Sequence, residues 1–171
     1  MSNIEALKAV FGAENVVVID DDEQEAGLTG FSLVPEKKRE QFYPSIVGGN
    51  LRTMLALEGY FYGILGDSCA SYNGGYFDFV EFSNGAKAPI LAMTEEAKVR
   101  VIGKQNWYEG MMTWRVLSLC AFALACNHLA HAERDPKARD ALVNNWRLLM
   151  DVIYDHDFLD GERDEAIAFL D

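Results

Sequence analysis

The sequence predicts an α+β domain, a two-layer sandwich in which a small antiparallel sheet is packed by several helices. Three observations predict it. Tyr76 to Phe82 is an aromatic run suited to a pleated surface, and it stands between an Asn73-Gly74-Gly75 turn and an Asn84-Gly85 turn. Asn followed by Gly accepts positive φ at low cost, so the segment reads as a hairpin. Met111 to about Glu133 is apolar nearly all round, as a central helix would be. Periodic helical stripes occupy much of the remaining chain.

Taken in order, Ile4, Leu7 and Phe11 recur at helical spacing, and Gly12 can close that helix. Val16 to Ile19 reads as a buried strand. The five carboxylates between Asp20 and Glu25 then form a solvated run, and Gly27 to Gly30 is the expected joint. Pro35 suits a first helical position and Glu36 a first-turn charge, which predicts a short helix toward Gln41 that Pro44 stops. Asn50 is a candidate cap for a helix whose face is outlined by Leu51, Met54, Leu55, Glu58, Tyr62 and Leu65. This helix is expected to pack on the sheet.

Lys87 to Met93 reads as a second strand of the sheet and Lys98 to Ile102 as a third, giving a three- or four-stranded meander. Pro89 cannot donate to a ladder, so that stretch is an edge strand or an irregular segment. Asp135-Pro136 opens a further helix, with Leu142, Trp146, Leu149 and Ile153 on one stripe. A last helix is expected from about Gly161 to Leu170. There is no internal repeat and no low-complexity tract.

A chain of 171 residues suffices for one core, burying roughly 70% of its unfolded surface. With 27 Asp and Glu against 15 Lys and Arg, the net charge of −12 repels phosphate and disfavours direct nucleic-acid binding. A basic protein partner fits better. The start Met-Ser-Asn-Ile-Glu-Ala-Leu has neither the basic nor the apolar region of a signal peptide, and the apolar window Val116 to Cys126 is too short to span a bilayer. The expectation is a soluble cytoplasmic protein without membrane contact. Cys69, Cys120 and Cys126 have no CxxC spacing and read as reduced thiols.

Chemistry-bearing motifs are sparse. His128 and His131 lie at i, i+3 near Cys120 and Cys126, but a zinc site needs a fuller ligand set, and Cys in an apolar helix behaves as a small hydrophobe. Asn73-Gly74-Gly75 could form an anion nest, yet no Lys-Ser or Lys-Thr follows and the turn leads into a strand. Cys69 has no visible base, and no recognised nucleophile motif occurs. The expectation is therefore no catalytic residue, no metal and no cofactor. Residues 151 to 171 hold eight carboxylates against Arg163. As one helix they would span roughly 31 Å. Duplex DNA carries about 18 charges over that length, so the tail falls well short of DNA mimicry. It can serve as a docking patch for a basic surface or as a solvated helix face.

The stretch from Cys69 through Tyr72-Asn-Gly-Gly-Tyr76 to Ser83-Asn-Gly85 resembles the signature of the ArdB/KlcA antirestriction family. Val34 to Arg39 with Phe42-Tyr-Pro44 resembles the family's entry helix, and Asn50 to Leu65 the helix leading to the signature Cys. Ala123 to Ala130 and Tyr154 to Asp171 fall where the family places its long apolar helix and C-terminal helix. After Gly85 this chain continues Ala86-Lys-Ala-Pro-Ile-Leu-Ala-Met93, where family members carry Gly-Phe-Tyr-Met-Ala-Pro. The resemblance divides the chain into an extension, residues 1–32, and a family-like domain, residues 33–171.

It implies non-catalytic inhibition of type I restriction-modification systems, protecting plasmid or mobile-element DNA through contact with the restriction enzyme or an associated host factor. The interaction candidates are Tyr72, Asn73, Gly74, Gly75, Tyr76, Ser83, Asn84 and Gly85 from the signature, and, from charge alone, Asp151, Asp155, Asp157 and Asp160. The alternatives are an acidic DNA-mimic module that joins the Asp20 to Glu25 run to the tail, and a metal-dependent enzyme using His128, His131 and a carboxylate.

Overall fold

The computed structural model describes residues 3–12, 16, 30–155 and 157–171. Of the expected strand at 16–19 only Val16 is among them, as an isolated parallel bridge to Phe31, and the acidic run at 20–25 lies outside them. The fold is α+β, with six helices and two small antiparallel sheets among the described residues. Helix α1 (Asn3–Phe11) ends at Gly12, whose φ of +82° is the left-handed closure that glycine allows. Strand β1 (Phe31–Leu33) leads into a 3-10 turn (Glu36–Gln41) and helix α2 (Phe42–Ile46).

Pro44 does not stop that helix; it is the third residue of α2. In the first turn a missing N–H removes no intrahelical bond, so proline is tolerated there. Helix α3 (Leu51–Ser68) begins at Asn50, whose side chain accepts from the Thr53 amide at 3.1 Å. Its buried positions are Thr53, Leu57, Phe61, Leu65 and Ser68. The face predicted from sequence is largely the outer one, since Leu51, Leu55 and Tyr62 are exposed. Apolar residues encircle this helix, so the pattern alone does not choose a side.

Strands β2 (Phe77–Phe82) and β3 (Lys87–Leu91) form the expected hairpin, and β1 pairs with β2 on the other side. Pro89 lies on β3, at a sheet edge. The predicted single meander is corrected here. Strand β4 (Lys98–Ile102) pairs instead with β5 (Glu109–Thr113) in a separate two-stranded ribbon. Ala92, at φ +47°, turns the chain away from the first sheet after β3.

The central helix is also shorter than expected: α4 (Trp114–Ala132) starts three residues late because 109–113 is strand. Glu162 fixes that boundary. Its carboxylate accepts from the Thr113 amide at 2.8 Å and the Thr113 hydroxyl at 2.7 Å, so that hydroxyl is engaged with Glu162 and makes no cap bond to its own helix. Thirteen residues of α4 are buried, as expected for a helix surrounded by the other elements. Helix α5 (Pro136–Asp155) is capped by Asp135, which accepts from the Lys137 and Ala138 amides, and α6 (Arg163–Leu170) closes the chain. Phe42 stacks on Phe79 with centroids 4.5 Å apart, while Val80 and Phe82, which alternate with it, are buried on the opposite face of β2. No helix among the described residues is long and apolar enough to cross a membrane.

Candidate functional site

The loop that joins α3 to β2 carries the first group of candidates. Cys69 ends α3, with its amide on the Leu65 carbonyl and its sulfur 3.1 Å from the Ser71 hydroxyl. The Tyr72 ring is half-buried against Trp114 at 6.2 Å. Gly74 holds φ +93°, and a Cβ on Gly75 would lie 2.5 Å from Leu91 Cδ1. Asn73 and Gly74 are exposed, and the exposed Tyr76 accepts a 2.7 Å hydrogen bond from Arg39 Nη1. Burial raises the neighbouring Asp78 carboxyl above its ordinary range, against the opposing pull of Arg39.

The second group, Ser83 to Gly85, lies at the far end of β2. Six extended residues separate the two groups, roughly 20 Å. Asn84 joins this turn to α5: its Nδ2 donates to the Leu148 carbonyl at 2.9 Å, and its Oδ1 accepts from the Ala86 amide at 2.9 Å. The Ser83 amide donates to the Gly30 carbonyl, and Gly85 has φ +88°. Next along the strand, buried Asn145 accepts from the Lys87 amide at 2.9 Å and donates to its carbonyl at 3.0 Å. The hairpin is thus tied to α5 by two asparagines.

Among the carboxylates, Asp151 is exposed on α5, one turn beyond Leu148 and so beside the Asn84 turn. Asp155 ends α5 and Asp157 begins the following 3-10 turn; their side chains lie outside the described residues. Asp160, at φ +46°, accepts from Arg115 Nη2 at 3.1 Å. The structure fastens the Ser83–Gly85 turn to α5 at Leu148, one helical turn before Asp151, leaves the Tyr72–Tyr76 loop at the opposite strand end, and engages Asp160 with an arginine of the core.

That arginine was invisible to sequence reasoning. Arg115 is fully buried, with Nη1 3.0 Å from Glu96 Oε1 and its guanidinium carbon 4.8 Å from the centre of the Phe11 ring. Its partners are far away in sequence, so only the cation within an apolar run could have marked it. Trp107 was missed too. It is 92% exposed, in the loop between β4 and β5, and its φ of +60° is an unusual conformation for a bulky residue.

His128 is half-buried beside a cavity of about 90 Å³ lined also by Ile64, Leu124 and Phe169, with Nε2 3.4 Å from Gln105 Nε2. His131 is exposed. Burial pushes the Cys126 thiol up to about 12 and raises that of Cys120 also, so both are held as thiols. Among the described residues, no three His, Cys, Asp or Glu side chains converge on a metal-sized site. The exposed turns, carboxylates and indole suit contact with another macromolecule.

No family model matches the chain. It is similar to two Escherichia coli proteins named antirestriction protein KlcA. One is 32% identical over 120 residues, 69% of this chain and 80% of the relative; the other is 27% identical over 123 residues, 72% and 83% of the two chains. A solved structure from work on the KlcA and ArdB proteins matches with a TM-score of 0.70 at 23% identity, covering 87% of this chain and 99% of that one. That work describes a novel fold and antirestriction activity against type I DNA restriction systems in vivo but not in vitro. The present chain shares the fold.

Proposed function

Because this chain belongs to the KlcA/ArdB antirestriction family, we propose that it relieves type I restriction of incoming plasmid or other mobile DNA. The carrying observation is the 32% identity over 120 residues to an antirestriction protein. The reading is of a non-catalytic inhibitor that acts inside the cell by protein contact. The net charge of −12 supports a basic protein as partner over phosphate. For the solved relatives, activity in vivo but not in vitro supports a step that needs a component of the cell beyond the restriction enzyme. The turn at Ser83 to Gly85 with Asp151 offers one compact contact patch and the Tyr72 to Tyr76 loop a second, both within the family-like residues 33–171.

The test is the plating efficiency of unmodified phage on cells carrying a type I restriction system, with and without the protein at matched expression. Efficiency should rise toward that of a non-restricting strain while methylation is unchanged. No rise against several type I families would overturn the proposal.

A further inference from the structure

The loop between β4 and β5 is built to hold one side chain outward. Asn106 Nδ2 donates to the carbonyls of Ala168 at 2.7 Å and Phe169 at 3.3 Å, in the last turn of α6, while its Oδ1 accepts from the Tyr108 amide. The Gly103 amide donates to the Tyr108 carbonyl at 2.8 Å, closing the loop, and a Cβ on Gly103 would stand 2.4 Å from Asn106 Oδ1. Tyr108 turns inward onto Phe169 and hydrogen-bonds Glu165. Between these two anchored residues Trp107 is left-handed and 92% exposed. An anchored loop that keeps its largest apolar side chain in water and in an unfavourable φ is organised around something other than its own packing.

The adjoining ribbon has exposed apolar side chains of its own. Register places Arg100, Ile102, Glu109 and Met111 on one face, and Ile102 is 42% and Met111 48% exposed. Charge selects the occupant. Residues 98–113 carry three cations against Glu109 alone, and each cation already has a carboxylate of this chain: Arg100 with Glu109, Lys104 with Asp67, Lys98 with Glu162. Phosphate would have to compete with those carboxylates at the ribbon, and the chain as a whole repels it. A second copy would set −12 against −12. A basic protein is steered toward this chain by its net charge and meets, at the ribbon, the exposed Ile102 and Met111 beside an Arg100–Glu109 pair whose charges offset each other.

We propose that Trp107, with Ile102 and Met111, is the anchor by which this protein docks into an apolar cleft on a basic, DNA-handling protein. Aromatic anchors flanked by apolar side chains dominate such interfaces. The inference rests on the antirestriction reading for the identity of that partner and not for the existence of the contact.

Two measurements test it. In the plating assay Trp107→Gly should lose about tenfold or more of the relief given by the unaltered protein, a hot-spot-sized effect. Its melting temperature should not fall, because glycine suits the left-handed φ, and Trp107→Phe should keep most of the relief. Full relief by a well-folded Trp107→Gly variant overturns the inference and leaves the antirestriction reading standing. In restricting cells, a benzoylphenylalanine photo-crosslinker at position 107 should give one adduct, with a subunit of the restriction enzyme or a DNA-bound host protein of basic charge, and none from position 60, which also carries an exposed aromatic ring. A covalent dimer, a nucleic-acid adduct or no adduct overturns the docking proposal even where the unaltered protein gives no relief, an outcome that separately overturns the antirestriction reading.

Discussion

Asn84 donates its side-chain amide to the carbonyl of Leu148, sixty-four positions away, and so fastens the β2–β3 turn to helix α5. The same side chain holds the Ala86 amide, which shapes the turn itself. Part of the family signature is therefore explained by folding.

Replacing Asn84 with Ala removes both bonds and should cost about 1–2 kcal/mol, at about 1 kcal/mol for each. The midpoint of urea unfolding measures it. At 37 °C, relief of restriction should fall only as far as the folded fraction falls. A stable Asn84→Ala protein with no relief would place Asn84 in the contact with the partner.

Phe31 meets Phe11 at 5.1 Å and Phe158 at 5.2 Å, both edge to face, and Phe82 at 6.3 Å. It is 2% exposed, so Phe31→Ala should cost about 4 kcal/mol through lost burial and a residual cavity. Deleting residues 1–32 removes this ring as well as α1, and the shortened chain should show no cooperative melting transition. A sharp transition near that of the full chain would make the extension dispensable for folding.

The ends of α3 and α5 meet through carboxylates. Thr53 Oγ1 donates to Glu133 at 2.6 Å, and this bond is the main cause that holds the Glu133 pKa below its ordinary value; Asn50 Nδ2 does the same for Asp135 at 3.0 Å. A carboxylate whose folded pKa lies below its unfolded one stabilises the fold above the unfolded pKa. That contribution is lost as pH falls through the folded pKa. Stability from this junction should thus be constant near neutrality and decline on acidification below the usual carboxylate range. Glu133→Gln should unfold more readily than the native chain at pH 7, with the gap closing as pH falls through and below the usual carboxylate range, in paired urea titrations.

The sequence carried much of this fold because local chemistry decided it: Asn50 and Asp135 as caps, Gly12 as a stop, and Asn-Gly at the hairpin act within a few residues. Where distant partners decide, local reading failed. Met111 and Met112 continue the apolar pattern of α4, and pairing with β4 and the grip of Glu162 on Thr113 make them strand. The face of α3 was misassigned because Leu51 and Leu55 are as apolar as Leu57 and Phe61, and the neighbouring α4 selects which are covered. At the candidate site, the signature was legible and its division between two ends of β2 followed from strand length. Trp107 was not, since a single aromatic in a loop has no period, and its exposure follows from Asn106 reaching α6.

Arg115 offers the last prediction, because its charge is buried while those of its partners are not. Its side chain has no exposure, whereas Glu96 and Asp160 are 58% and 63% exposed. Substituting Arg115→Met leaves two carboxylates that water can solvate and fills the same space with an apolar chain, so stability should change by less than about 1 kcal/mol. Glu96→Gln with Asp160→Asn instead leaves the guanidinium buried without a counter-charge. The double variant should lose about 2 kcal/mol, less than a wholly buried pair would, because solvent screens these carboxylates. Thermal melts of the two proteins should therefore rank in the order opposite to the number of charges removed per partner left behind. If Arg115→Met were the more damaging, the guanidinium would be acting chiefly as a clamp on the Glu96 and Asp160 loops, and the restriction relief of the two variants would follow their stabilities in the same reversed order.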